Sequence, residues 1–155
     1  MLEAGSPAPR LVLEDTEGRP VSLADHNGHH AVLLYFMRST TCPVCRRHVR
    51  TLAEDADALE AAGVRVLIAV PEDREAARAW RAKHEIPFPV LTGRRNTPHE
   101  LVGLNRAVFG ALQRSGSILV DAQGVVRHAH SATLPTGSHD RAGIAAAVAA
   151  LGAPA

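Results

Sequence analysis

The chemistry of this chain is concentrated in one stretch, Phe36-Met37-Arg38-Ser39-Thr40-Thr41-Cys42-Pro43-Val44-Cys45-Arg46, which holds both of the cysteines among its 155 residues. It follows the apolar run Ala31-Val32-Leu33-Leu34-Tyr35 and precedes a helical pattern. A strand that ends, turns and opens a helix with Cys-Pro-x-Cys sets Cys42 at the N-cap, Pro43 at N1, Val44 at N2 and Cys45 at N3. Proline suits N1, where an amide hydrogen would be unpaired anyway. The Cys42 sulfur then faces the free N–H groups of Val44 and Cys45. A thiolate gains more than a thiol from those donors and from the helix dipole. Its pKa should fall from about 8.5 toward neutrality. Arg38 and Arg46 add positive potential. Cys45 lies one turn on, close enough for a disulfide after modest adjustment, and is suited to be the resolving thiol.

Two other readings of the pair are weaker. Cys42, Cys45 and His48 have the spacing C-x2-C-x2-H, but structural zinc normally takes two separated ligand pairs, and one helix cannot wrap a tetrahedron. Haem attachment needs a histidine directly after the second cysteine, where Arg46 stands. The nine histidines are otherwise scattered. His48 reads as part of a polar helix face, and His128-x-His130 as a solvated strand face. Glu54-Asp55 and Glu72-Asp73 read as solvated helix charge. No metal and no bound cofactor are expected.

The elements that must position the cysteines follow from periodicity. Leu11-Val12-Leu13 and Val21-Ser22-Leu23 flank Asp15-Thr16-Glu17-Gly18 as an N-terminal hairpin. Residues 31–36 read as a strand buried on both faces. Val49, Leu52, Ala53, Ala56 and Leu59 give a helix from Cys45 to about Ala62, ended by Gly63. Residues 64–70 form a second buried strand, and a helix runs from Pro71 to about Lys83. Phe88-Pro89-Val90-Leu91 suits an edge strand, and a short helix is expected near His99 to Leu104. Ser117–Val120 and Val125–His130 form a second hairpin, and Ile144, Val148 and Leu151 mark a final helix. The early βαβ order implies parallel strands and the late hairpin adds antiparallel ones. The expected fold is α/β, thioredoxin-like: a central mixed sheet flanked by helices on both faces, with an N-terminal β-hairpin, in a single domain over 1–155. Cys42 falls at the carboxyl end of a central strand, where such sheets place their sites.

Bulk composition narrows the function. Hydrophobic residues make up 46% of the chain but aromatics only 3%, so the core is mostly aliphatic. A net charge of +1 argues against nucleic acid as the main partner. No apolar run reaches the ~18 residues of a membrane span, and the N-terminus lacks a signal-peptide pattern. A cytoplasmic setting is expected, where a lone Cys-x-x-Cys is catalytic or metal-binding more often than a structural staple.

The chain resembles the alkyl hydroperoxide reductase and thiol-specific antioxidant group, the peroxiredoxins, over roughly residues 4–151. Gly5-Ser6-Pro7-Ala8-Pro9 and Leu13-Glu14-Asp15-Thr16-Glu17-Gly18 look like that family's opening. Ile86-Pro87-Phe88-Pro89-Val90-Leu91 and Ile118-Leu119-Val120-Asp121-Ala122-Gln123-Gly124-Val125-Val126-Arg127 match its later strands. The nearest variant carries Phe-Tyr-Arg-Gly-x-Trp-Cys-Pro-x-Cys-Arg; Phe36, Arg38, Cys42, Pro43, Cys45 and Arg46 agree with it, while Met37, Ser39 and Thr41 depart. Against the family's Pro-x-x-x-Thr-x-x-Cys, placing Cys45 at the cysteine sets Arg38 at the proline and Cys42 at the threonine. Placing Cys42 there sets Tyr35 at the proline and Ser39 at the threonine. The helix argument favours Cys42 as the attacker.

The resemblance implies thiol-dependent reduction of a hydroperoxide through a Cys42/Cys45 dithiol–disulfide cycle. A hydroxyl from Ser39, Thr40 or Thr41 and a late arginine, here Arg114, would bind the two peroxide oxygens as charge moves to the leaving one. A thioredoxin-like or low-molecular-weight thiol would be the reductant, and relatives of this kind often pair as homodimers. The alternative is a thiol–disulfide oxidoreductase acting on protein disulfides. Against it, no proline stands near Gly116-Ser117, where that class carries one facing its cysteines.

Overall fold

The computed structural model describes residues 3–93, 98–102, 104, 106–107, 112–132 and 137–151. Its centre is a five-stranded mixed sheet of β3 (Ala31–Phe36), β4 (Val64–Ala69), β5 (Val90–Leu91), β8 (Ser115–Val120) and β9 (Val126–Ala132), in the order β5-β4-β3-β8-β9. β3 runs parallel to β4 and antiparallel to β8, and β4 runs parallel to β5. β1 (Val12–Glu14) and β2 (Pro20–Ser22) form the N-terminal hairpin. β6 (Arg106–Ala107) and β7 (Leu112–Gln113), a short antiparallel pair, and the 3-10 turn Leu23–His26 carry no periodicity in the sequence. The helices are α1 (Pro43–Glu54), α2 (Ala56–Ala61), α3 (Arg74–Lys83), α4 (Pro98–Leu101) and α5 (Arg141–Leu151).

The helix expected to run unbroken to Ala62 is divided at Asp55, whose φ of −89° and ψ of −3° end α1. The Asp55 carboxylate accepts two bonds from the Arg141 guanidinium, at 2.6 and 2.9 Å, and so ties this joint to the start of α5.

Both faces of the sheet are covered, but unequally. Leu33, Tyr35 and Met37 pack with Val49 and Leu52 of α1, Leu59 of α2, Trp80 of α3 and Ile144 of α5. Val32, Leu34 and Phe36 face the other way, against Leu11, Leu13, Leu23, Val102 and Leu104. The reason is topological. The steps β3 to β4 and β4 to β5 move in one direction across the sheet, so two right-handed crossovers put α1 and α3 on the same face. The second face falls to the hairpin, the 3-10 turn and the short α4 region.

β3 is central and buried at every position. That fixes where the chain leaves the sheet, and the cysteines follow directly. Opposite its last residue, Phe36, stands Gly116 of β8. A Cβ there would lie 2.0 Å from the His130 carbonyl oxygen, so only glycine lets β8 and β9 meet at this corner.

Candidate active site

Cys42 is the N-cap of α1, with φ −77° and ψ 111°, and Pro43 occupies N1. The Cys45 amide donates to the Cys42 sulfur at 3.3 Å. The Cys42 thiol is desolvated, which opposes ionisation. Cys45, its amide and the Arg38 guanidinium outweigh that and hold its pKa below the ordinary thiol value. Cys45 behaves oppositely: burial and the neighbouring Cys42 push it up to about 11, against help from the Arg38 backbone N–H and the Tyr35 hydroxyl. The corner therefore separates the two sulfurs into a thiolate and a thiol.

Both cysteines are free, and both are buried, Cys42 to 1% exposure. A thiolate at a helix N-terminus would be best solvated at the surface. Cys42 instead sits behind the exposed residues Thr41 and Pro43, in a pocket that is polar on the Arg38 side and apolar on the sheet side.

Ser39 and Thr41 bond each other, Oγ to Oγ1 at 3.1 Å, with neither hydroxyl on a sulfur. Thr40 turns inward, its amide and hydroxyl donating to one carboxylate oxygen of Glu72 at 2.8 and 2.6 Å. Glu72, expected as solvated helix charge, thus clamps the loop to the end of β4. Asp73 is the N-cap of α3, accepting from the Ala76 amide at 2.9 Å. Arg46 reaches His84 Nε2 at 3.4 Å rather than the thiolate. Arg114 is exposed and stands just before β8, two residues from Gly116, at the end of the sheet where Cys42 lies.

A second group escaped sequence reasoning. His48 is half-buried rather than on a solvated face: its Nδ1 is 2.9 Å from the Tyr35 hydroxyl and 3.2 Å from Ser138 Oγ. The Tyr35 hydroxyl is also 2.8 Å from Ser138 Oγ. The His139 ring stacks obliquely on His48 at 5.4 Å. On the opposite side of the loop, His99 Nε2 donates to the Met37 carbonyl at 2.5 Å. The available signal was a tyrosine inside an otherwise apolar central strand, since a buried hydroxyl needs a partner. His48, three residues past Cys45 on the same helix, was in position to be one. The His128 and His130 rings are likewise partly buried, His128 beside Asp140 and His130 on the Gly137 carbonyl. Among the described residues, no cluster of His, Cys, Asp and Glu is arranged to hold a metal ion.

The model of the AhpC/TSA family matches residues 4–129. The chain belongs to that family. A chloroplastic peroxiredoxin Q of Sedum lineare is 29% identical over 79% of this chain, which spans 66% of that relative's length. The corresponding protein of Oryza sativa subsp. japonica is 27% identical over 82% of this chain, which spans 58% of its length. Among solved structures, the peroxidoxin BcpB of Mycobacterium tuberculosis superposes with a TM-score of 0.80 at 17% identity, covering 97% of both chains. A peroxiredoxin-like protein from Aquifex aeolicus gives 0.82 at 17% identity, covering 97% of this chain and 88% of its own. These structures establish the thioredoxin-like peroxiredoxin fold for this AhpC/TSA member. No helix among the described residues is long and apolar enough to cross a membrane.

Proposed function

We propose that the protein is a thiol-dependent peroxidase. The observation that carries this is the division of the cysteines: Cys42 lowered by the Cys45 amide and Arg38, and Cys45 raised beside it. The Cys42 thiolate attacks the terminal oxygen of a hydroperoxide. The S–O bond forms, the O–O bond breaks, and the leaving alkoxide or hydroxide takes up a proton, giving alcohol or water and a sulfenic acid. Cys45 then condenses with that sulfenic acid, releasing water. A thioredoxin-like or low-molecular-weight thiol reduces the disulfide.

The same reading gives Ser39 or Thr41 the hydroxyl contact to the peroxide and Arg114 the charge on its leaving oxygen. It also includes pairing into a homodimer and a cytoplasmic setting that returns the pair to dithiol. Burial of Cys42 favours a small hydroperoxide over a protein disulfide as the first reactant, because a bulky disulfide would have to open the Thr41–Pro43 corner to reach a sulfur that is 1% exposed, an opening that a thioredoxin-like reductant requires of the oxidised form.

Mass mapping after one equivalent of hydrogen peroxide tests this. Wild type should show a Cys42–Cys45 disulfide, Cys45→Ser a sulfenic acid on Cys42, and Cys42→Ser no rapid oxidation. Oxidation of Cys45 first, or faster exchange with a protein disulfide than with peroxide, would reject it. Arg114→Ala should slow peroxide attack about tenfold or more while leaving Cys42 alkylation unchanged.

A further inference from the structure

A buried resolving thiol creates a problem that the peroxide chemistry does not solve. Cys45 is fully buried and its thiol is held protonated, yet the thiolate is the form that attacks sulfur. A proton must leave Cys45 as the disulfide closes, and the core around it is mostly apolar.

One polar path leads away. Tyr35 and Cys45 lie in the same buried cluster, and the Tyr35 hydroxyl acts on the Cys45 thiol. It also contacts His48 Nδ1 at 2.9 Å and Ser138 Oγ at 2.8 Å. We propose that Tyr35 and His48 form a proton relay that deprotonates Cys45 in the resolving step. This rests on the peroxidase reading and assigns two further residues to it: Tyr35 exchanges a proton with Cys45, and His48 acts through Tyr35 as a positioning base.

The step balances. The Cys45 S–H proton passes to the Tyr35 oxygen while the Tyr35 O–H proton passes to His48 Nδ1. The Cys45 sulfur attacks the sulfenic sulfur, the S–S bond forms and the S–O bond breaks. The Cys45 sulfur is oxidised and the sulfenic sulfur reduced, and hydroxide leaves with a solvent proton as water. The imidazolium returns its proton to solvent. With its own hydrogen on Nε2, His48 presents the Nδ1 lone pair to the Tyr35 O–H, while the Ser138 hydroxyl donates to the Tyr35 oxygen. Ser138 completes the triangle at 3.2 Å from Nδ1.

The surroundings keep the ring unprotonated but weakly basic, so it takes the proton only as the S–S bond forms. Burial, the His139 ring and Arg47 lower the His48 pKa to about 4. Tyr35 is raised far above its ordinary value, so the transfer is concerted and no phenolate is formed. Among the described residues, the groups that meet or act on His48 are Tyr35 from β3, Arg47 from its own helix, and Ser138 and His139 from the segment before α5. His139 in turn feels Asp55, Asp140, Arg141 and His130.

The test is the pH dependence of closure in wild type, Tyr35→Phe and His48→Gln, followed by rapid quenching, alkylation and mass analysis after one equivalent of hydrogen peroxide. Wild-type closure should be nearly flat from pH 6 to 9. Both variants should close about a thousandfold more slowly at pH 6. Their rates should climb about tenfold per pH unit as solvent hydroxide takes over, so the defect shrinks toward pH 9. A disturbance of packing alone would slow closure equally at every pH. That outcome, or wild-type rates in the variants, overturns the relay. The gain of one oxygen at Cys42 is read in the same samples and reports the peroxide step separately. Should peroxide fail to oxidise Cys42, closure from a Cys42 mixed disulfide with an aromatic thiol places the same demand on Cys45 and decides the relay by the same profile.

Discussion

Thr40 gives both its amide and its hydroxyl hydrogen to a single carboxylate oxygen of Glu72, at 2.8 and 2.6 Å. The residue two positions before the N-cap cysteine is thereby fixed to the chain just beyond β4, although the two are distant in sequence. This is what turns a loop into a defined corner. Charge-assisted bonds of this kind are stronger than neutral ones.

Glu72→Ala removes both acceptor contacts and leaves the Thr40 donors to compete for water. It should lower stability by about 1–3 kcal/mol and slow alkylation of Cys42 as the corner loosens. Glu72→Gln keeps an acceptor and should lose less. Urea unfolding and iodoacetamide kinetics on both variants check this; equal effects of the two substitutions would refute the clamp.

Arg38 serves both sulfurs, the guanidinium to Cys42 and the backbone N–H to Cys45. Arg38→Met keeps the second contact and removes the first. The Cys42 pKa should rise toward the ordinary thiol value, and alkylation at pH 6.5 should fall severalfold as the thiolate fraction drops. At pH 9, where the thiol ionises anyway, the two proteins should react nearly alike. A pH-independent deficit would show that Arg38 only shapes the pocket.

The readable part of this site was local. Cys42, Pro43 and Cys45 interact through one turn of helix, and helix geometry is contained in a few residues. Tyr35, Ser138 and His139 lie 103 and 104 positions apart, and their meeting depends on α5 packing over β3. His48 and Glu72 misled for the same reason. Each is polar and sits where a helix surface is expected, and only the fold shows that another segment covers it. The central strands were legible because the buried ones are continuous apolar runs. The unequal cover of the sheet's faces was not, because the direction of successive crossovers is a property of topology rather than of pattern.

Gly116 marks the same corner from the sheet side. An added Cβ would stand 2.0 Å from the His130 carbonyl oxygen and 2.8 Å from the Ser131 Cα, and both obstacles are backbone. Gly116→Ala must therefore part β8 from β9 near the cysteines, at a cost of about 3 kcal/mol or more. Thermal unfolding should show a drop well beyond that of an exposed glycine such as Gly5, where nothing lies within 4 Å of an added Cβ and only the φ of +91° resists a side chain. Comparable losses in Gly116→Ala and Gly5→Ala would contradict the packing described.

Acid should unfold the protein earlier than its carboxylates alone require. Burial lowers His48 and His99 to about 4, against 6.5 in the open chain. Between those values the unfolded state binds more protons than the folded state. Stability is therefore complete above about pH 6.5 and falls as pH drops toward 4. At pH 5 the loss is about 2 kcal/mol for His99, which is almost fully enclosed, and less for the half-exposed His48. His26, His30, His84, His128 and His139 are lowered in the same sense. Asp15 and Asp121 are held below 3.8 by their hydrogen bonds and by Arg19 and Arg127, so their contribution disappears only at lower pH. Urea midpoints at pH 7.5 and 5.0 should differ markedly, and His99→Gln should flatten the slope by about one proton. Equal midpoints at the two pH values would mean that these rings titrate in the folded protein as they do in water, and the enclosed environment assigned to them would be wrong.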